Sequence, residues 1–109
     1  MFKTVQTKEF DEWFMSLTTT KAKAIFKKIL IVEKLGNLAT VKQGSKSLGK
    51  GLYELRDMQY GLRAYYAFHD GELVILLNGG DKNTKKQQNL DIKKARKILE
   101  EIKREEREI

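Results

Sequence analysis

Arg56 in "LYELR", Arg63 in "GLRAYYAFH" and the connector Gly79-Gly80-Asp81-Lys82-Asn83-Thr84 are the residues best suited to chemistry on a phosphate. A planar guanidinium grips phosphate through two parallel hydrogen bonds, so two arginines on neighbouring strands suit a charged, phosphate-bearing substrate. Tyr65 follows Arg63 on the same face of its strand, and an aromatic ring beside an arginine suits stacking on an unpaired base. The same residues have plainer uses: the arginines can be solvated or paired with Glu54 or Asp57, and Tyr65 can pack within a sheet. The connector lacks the spacing of a Walker phosphate loop. Its plain reading is a strand-to-helix turn capped by Asn83 or Thr84; its functional reading uses the free amides of the next helix, with Lys82 beside them, to hold a phosphate. His69 is the one histidine and stands beside the Asp70-Gly71 turn. With no second histidine, no cysteine and no dense carboxylate cluster, no transition-metal site is expected. Ser45 and Ser47 carry no nucleophile-elbow pattern.

The composition narrows the setting. At 109 residues the chain fits one domain spanning 1–109, able to bury roughly two thirds of the surface its unfolded form exposes. The absence of cysteine fits a reducing compartment, and neither a membrane span nor a signal peptide is apparent, so a cytoplasmic, non-membrane protein is expected. The net charge of +7 attracts polyanions and acidic proteins without choosing between them. Residues 82 to 97 hold Lys82, Lys85, Lys86, Lys93, Lys94, Arg96 and Lys97 against Asp91 alone. Such a surface often serves only solubility, so its basicity needs support from elsewhere.

Hydrophobic periodicity supplies the elements that position these residues. "FKTVQ" is a short strand, and Thr7 caps a helix whose Phe10, Trp13, Phe14 and Leu17 form one buried stripe. "TTT" at 18 to 20 interrupts the pattern; Ala22, Ile25, Ile29 and Val32 then continue a second helix to Gly36. Residues 39 to 51 are rich in glycine, serine and lysine without sustained apolar period, and read as a basic loop. Three antiparallel strands follow, "LYELR", "GLRAYYAFH" and "ELVILLNG", the last two joined at Asp70-Gly71. In the middle strand Leu62, Ala64, Tyr66 and Phe68 should face the helices, leaving Arg63, Tyr65, Ala67 and His69 on the other side. Thr84 with Gln87 has capping-box spacing, and Ile92, Ala95, Leu99 and Ile102 continue a last helix. The expected fold is α+β: a small antiparallel sheet, an N-terminal helical hairpin and a C-terminal helix, in the order β-α-α-β-β-β-α.

With these residues assembled, the chain resembles the RelE/ParE-type toxins of bacterial type II toxin-antitoxin systems, and most of all the HigB-like, phage-related addiction module killer proteins. "TKEFDEWFMSL" and "KAKAIFKKIL" resemble the helical hairpin, "GLYELR" and "YGLRAYYAF" the middle strands, and "VILLNGGDKNT" the last strand with its connector. The resemblance implies helices on one side of the sheet and a concave basic surface on the other. It implies a metal-independent endoribonuclease, without cofactor, that cleaves messenger RNA on the ribosome. The alternatives are a ParE-like gyrase inhibitor and a non-enzymatic nucleic-acid or protein-binding domain. Carried over residue by residue, Arg56, Arg63 and Lys82 become the phosphate and transition-state contacts, with Tyr65 and Asp81 as further catalytic candidates. Lys42, Lys46, Lys50, Lys85 and Lys86 become the RNA-binding lysines. No tyrosine or histidine follows Lys82, where such toxins often place a late acid-base residue, so Asp81, Tyr60, Tyr65, His69 and Lys82 all stay open as the base. The implied partner is an antitoxin with a helix-turn-helix domain; a homo-oligomer is not implied.

Overall fold

The computed structural model describes residues 2–36, 44–81 and 84–108. Lys42, Lys82 and Asn83, together with residues 39–43 of the expected basic loop, lie outside the described residues. The elements run β1 (Lys3–Gln6), α1 (Lys8–Met15), α2 (Thr19–Leu35), β2 (Ser45–Gly49), β3 (Leu52–Asp57), β4 (Leu62–His69), β5 (Leu73–Gly80) and α3 (Lys85–Glu108). The α+β class is as expected. The order gains one strand, because Ser45–Gly49, expected as loop, pairs antiparallel with β3.

The sheet order is β1-β5-β4-β3-β2, with β1 parallel to β5 and the other pairs antiparallel. Three threonines set where the helices begin. Thr7 Oγ1 accepts from the Phe10 amide at 3.1 Å and itself donates to the Leu77 carbonyl at 2.5 Å, joining the start of α1 to β5. Thr18 accepts from the Lys21 amide, so the "TTT" interruption is both a gap and a cap. Thr84 accepts from the Gln87 amide at 3.2 Å. At the end of α2, Gly36 adopts φ 57°, and a Cβ there would collide with the ring of Phe2. No described helix is long and apolar enough to cross a membrane.

The two faces of the sheet carry separate cores. Leu62, Ala64 and Tyr66 of β4 pack with Leu55, Val74 and Leu76 against Phe10 of α1 and Ile25, Ile29 and Val32 of α2, as the alternation along β4 predicts. The opposite face is covered as well, contrary to the expected open basic surface. Leu52, Tyr65, Ala67, Ile75 and Leu77 pack against Ala95, Ile98 and Leu99 of α3. The cause is the amphipathic stripe of α3, a 24-residue helix long enough to lie along the sheet. Arg96 reinforces the lid by donating to the carbonyls of Leu48 at 2.9 Å and Gly49 at 3.3 Å in β2.

The inner and outer faces of α2 should respond very differently to truncation. Ile25→Ala, at a site with 0 % exposure, is expected to cost about 2–5 kcal/mol, whereas half-exposed Phe26→Ala should stay within about 0.5 kcal/mol. Urea unfolding of the two variants checks this.

Candidate active site

The cross-strand register places three of the expected residues in one row. Arg63 stands opposite Arg56 of β3 on one side and opposite Gly80 of β5 on the other. The row lies on the α3 face, at the end of the sheet where β5 hands over to the connector. Arg56 is exposed, while Arg63 is only 3 % exposed. Arg63 Nε lies 3.6 Å from Glu54 Oε1, and with the Gln88 amide turned oxygen-first, Arg63 Nη1 and Nη2 donate to it at 3.3 and 3.0 Å. A buried guanidinium held by a carboxylate and a carboxamide is fixed in direction, which is the condition for aiming its field.

Beside this row the strand end is gripped from both faces. Opposite Tyr65 and Tyr66, Leu77 is an extra residue in β5, so Asn78 faces α3 as Leu77 does, and its Nδ2 reaches the Asp91 carbonyl at 3.0 Å. Gly79 and Gly80 then turn their missing side chains to opposite partners. A Cβ on Gly79 would enter the indole of Trp13 in α1, and a Cβ on Gly80 would meet the carboxylate of Asp91 in α3. The abrupt halt of an apolar strand at two glycines therefore has a packing cause: aromatic and carboxylate groups already occupy the approaches expected to serve substrate.

Trp13, Gly79, Gly80, Asp81, Gln87 and Asp91 line a hollow of about 210 Å³. Gln87 was expected to close a capping box with Thr84, but its side chain instead donates to Asp91 Oδ1 at 3.0 Å. Burial raises the Asp91 carboxyl above the ordinary aspartate range, the nearby Asp81 charge adds to this, and the Gln87 bond, Lys94 and Arg63 oppose it. Trp13 Nε1 and Asn78 Oδ1 are buried without a hydrogen-bond partner among the described residues.

The other expected residues divide sharply. Asp81 is exposed at the mouth of the hollow, and Lys85 and Lys86 stand exposed in the first turn of α3. Lys46 is exposed and opposite Glu54, near the arginine row. Lys50 occupies the β2–β3 turn at φ 54°, beside Gly51, whose Cβ position is 4.0 Å from Lys103 Nζ toward the far end of α3. Tyr65, expected as a stacking ring, is 0 % exposed beneath α3. Burial, with Glu54 and Asp91 adding to it, holds its hydroxyl proton well above the ordinary phenol range, which disfavours both stacking and proton abstraction at neutral pH. His69 is at the opposite end of the sheet, its Nε2 3.0 Å from Asp70 Oδ2 and 3.2 Å from Glu106 Oε1. Tyr60 belongs to the α2 side, its amide donating to Asp57 Oδ2 at 2.8 Å. Glu54 was foreseen as an arginine partner, whereas Asp91, Gln87, Gln88 and Trp13 escaped the sequence reading of the site. The lone acid in the basic run 82–97 was the one available signal, and it marked Asp91.

The sheet with a helical hairpin on one face and a long helix on the other has a RelE-like topology. The isolated Escherichia coli RelE toxin matches with a TM-score of 0.65 at 14% identity, covering 85% of this chain and 97% of that one. A chain of the intact E. coli RelBE toxin-antitoxin complex matches with a TM-score of 0.64 at 15% identity, covering 77% of this chain and 100% of that one. The chain belongs to the phage derived protein Gp49-like family (DUF891), whose model matches residues 12–100. An uncharacterized protein of Haemophilus influenzae is 38% identical over 94 residues, covering 85% of this chain and 88% of the relative.

Two substitutions test the geometry. Gly79→Ala should destabilise by about 1–3 kcal/mol, because an indole ring gives way less readily than a flexible chain end, and the cost should shrink in a Trp13→Ala background. For Asp91 the sign follows from its raised folded-state pKa. The folded chain holds that proton more tightly than the unfolded chain, so stability falls as pH rises through the window between the unfolded and raised values. Asp91→Asn keeps an acceptor for Gln87 and removes the buried charge; it should melt higher than the parent at neutral pH, with the gap closing as pH falls below that window. Thermal melts across pH measure it.

Proposed function

We propose that this chain is the toxin of a type II toxin-antitoxin pair and acts as a metal-independent endoribonuclease on messenger RNA, engaged on the ribosome. The observation that carries this reading is the meeting of the Arg56–Arg63 row with the raised Asp91 carboxylate at one rim of the sheet. Cleavage without metal requires a base to take the 2'-hydroxyl proton, attack of the alkoxide on phosphorus, cations to stabilise the added charge, and departure of the 5'-oxygen with a proton from solvent or a protonated side chain, leaving a 2',3'-cyclic phosphate. Arg56, exposed at the end of the row, meets the phosphate. Arg63 adds charge from behind it, while its contacts to Glu54 and Gln88 hold the row in place. Lys82, Lys85 and Lys86 carry the backbone of the RNA toward the rim, and Lys46 extends the track. Asp91 takes the proton, with Asp81 as the second carboxylate at the mouth of the hollow. The partner is an antitoxin with a helix-turn-helix domain, matched to the +7 charge of the chain by an acidic contact surface.

Mapping message ends after induction tests the reading. New cut ends and loss of translation are expected; DNA breaks and filamentation with intact messages would overturn it. With purified protein, Arg56→Ala should slow cleavage by about 10²–10³-fold while changing stability by less than about 0.5 kcal/mol. Because a carboxylate base works only when ionised, the parent rate should rise with pH through the raised Asp91 pKa. Asp91→Asn should lose that limb and most of its cleavage, and an unchanged pH profile would remove Asp91 from the role.

A further inference from the structure

The outer face of α2 carries apolar surface that neither core uses. Phe26 is 49 % exposed and Leu30 46 %, and Met15 at the end of α1 is 81 % exposed. Between α1 and α2, Phe14, Met15, Leu17, Ala22 and Phe26 form the apolar walls of a groove of about 430 Å³. Ala22, Phe26 and Leu30 recur every four residues and so form one ridge along the helix. Exposed apolar groups gathered beside a groove mark a protein contact, since isolated ones need no explanation but a contiguous set does.

Charge identifies the partner more closely. Lys23 also lines that groove, and on its other side it joins Lys27, Lys28, Gln59 and Tyr60 around a second hollow of about 550 Å³ against the β3–β4 turn. Lys23 and Lys27 are both exposed and stand four residues apart, where like charges repel and weaken a helix. A ligand that sets carboxylates against them relieves that repulsion. RNA would satisfy the lysines but leave Phe26, Leu30 and Met15 without a match.

We infer that the α1–α2 groove and its lysine flank dock an amphipathic helix of the partner protein, laying an apolar stripe against Phe26 and Met15 and a row of carboxylates against Lys23 and Lys27. This rests on the toxin-antitoxin reading and adds the surface. It lies on the hairpin face of the sheet, opposite the α3 face that carries the arginine row.

In a toxin-antitoxin pair the partner is expected to be encoded beside the toxin, so the test uses the full chain and the product of the adjoining gene, with co-purification, titration and growth as readouts. Phe26→Glu and the pair Lys23→Glu/Lys27→Glu should each weaken the complex by roughly thirtyfold or more, while RNA cleavage and growth arrest persist and the neighbour no longer relieves them. The charge-reversed pair should also lose most of the salt dependence of association. Amide exchange on the unsubstituted complex gives a second measure, with slowed exchange expected in α2. Full-strength binding by both variants, or no slowing in α2, would overturn the inference while leaving the partner in place. Failure of the unsubstituted chain to bind the neighbour would overturn both. Loss of cleavage with intact binding would assign the face to RNA and likewise overturn it.

Discussion

The fold turns on two side chains that are absent. At Gly79 and Gly80 the interior strand β5 has no Cβ on either face, and Trp13 from α1 and Asp91 from α3 close on it from opposite sides. Everything at the rim takes its position from that grip. Trp13 sets the pitch of α1, whose first turn is tied to the same strand through Thr7 and Leu77. Asp91 sets where α3 lands, and through α3 come Gln88 over Arg63 and Arg96 over β2. A larger residue at either position would push a helix away and unmake the row of charges.

This arrangement also gives the two arginines different parts. Arg56 stands in solvent near the end of its strand, where side-chain freedom and counterions weaken its field, but a ligand can reach it. Arg63 is held by Glu54 and Gln88 in a place of low dielectric, where a charge acts over longer distance and its desolvation is offset by those contacts. One cation is available and the other is oriented. Asp91 sits between these regimes: buried enough to hold its proton more tightly than usual, yet bordering a hollow.

Much of this was legible in the sequence where a local rule and the tertiary packing agree. Thr7, Thr18 and Thr84 each stand before a helical period and each caps one. The alternation Leu62, Ala64, Tyr66, Phe68 identified the face toward the hairpin. What failed was inference about β2 and the second face. "SKSLG" has the glycine, serine and lysine content of a loop and becomes a strand only because β3 offers it a free edge. Arg63 and Tyr65 read as a solvent face because their types are polar or amphipathic. Their burial depends on where α3 lies, and no pattern within β4 records that. Asp91 was visible only as an odd acid in a basic run; the shift in β5 register that brings it beside Gly80 is a property of pairing, not of composition.

The parallel pairing of β1 with β5 joins Lys3 to Leu73 and Gln6 to Leu76 across most of the chain. Contacts so distant in sequence form slowly, and on a growing chain they cannot form until the later partner has emerged. Trp13 waits for Gly79, and Gly80 waits for Asp91, which follows it on the next helix. The rim is therefore among the last places to assemble during synthesis. Because Thr7 and Trp13 of α1 both rest on β5, the groove between α1 and α2 takes its shape in the same late step as the row of charges.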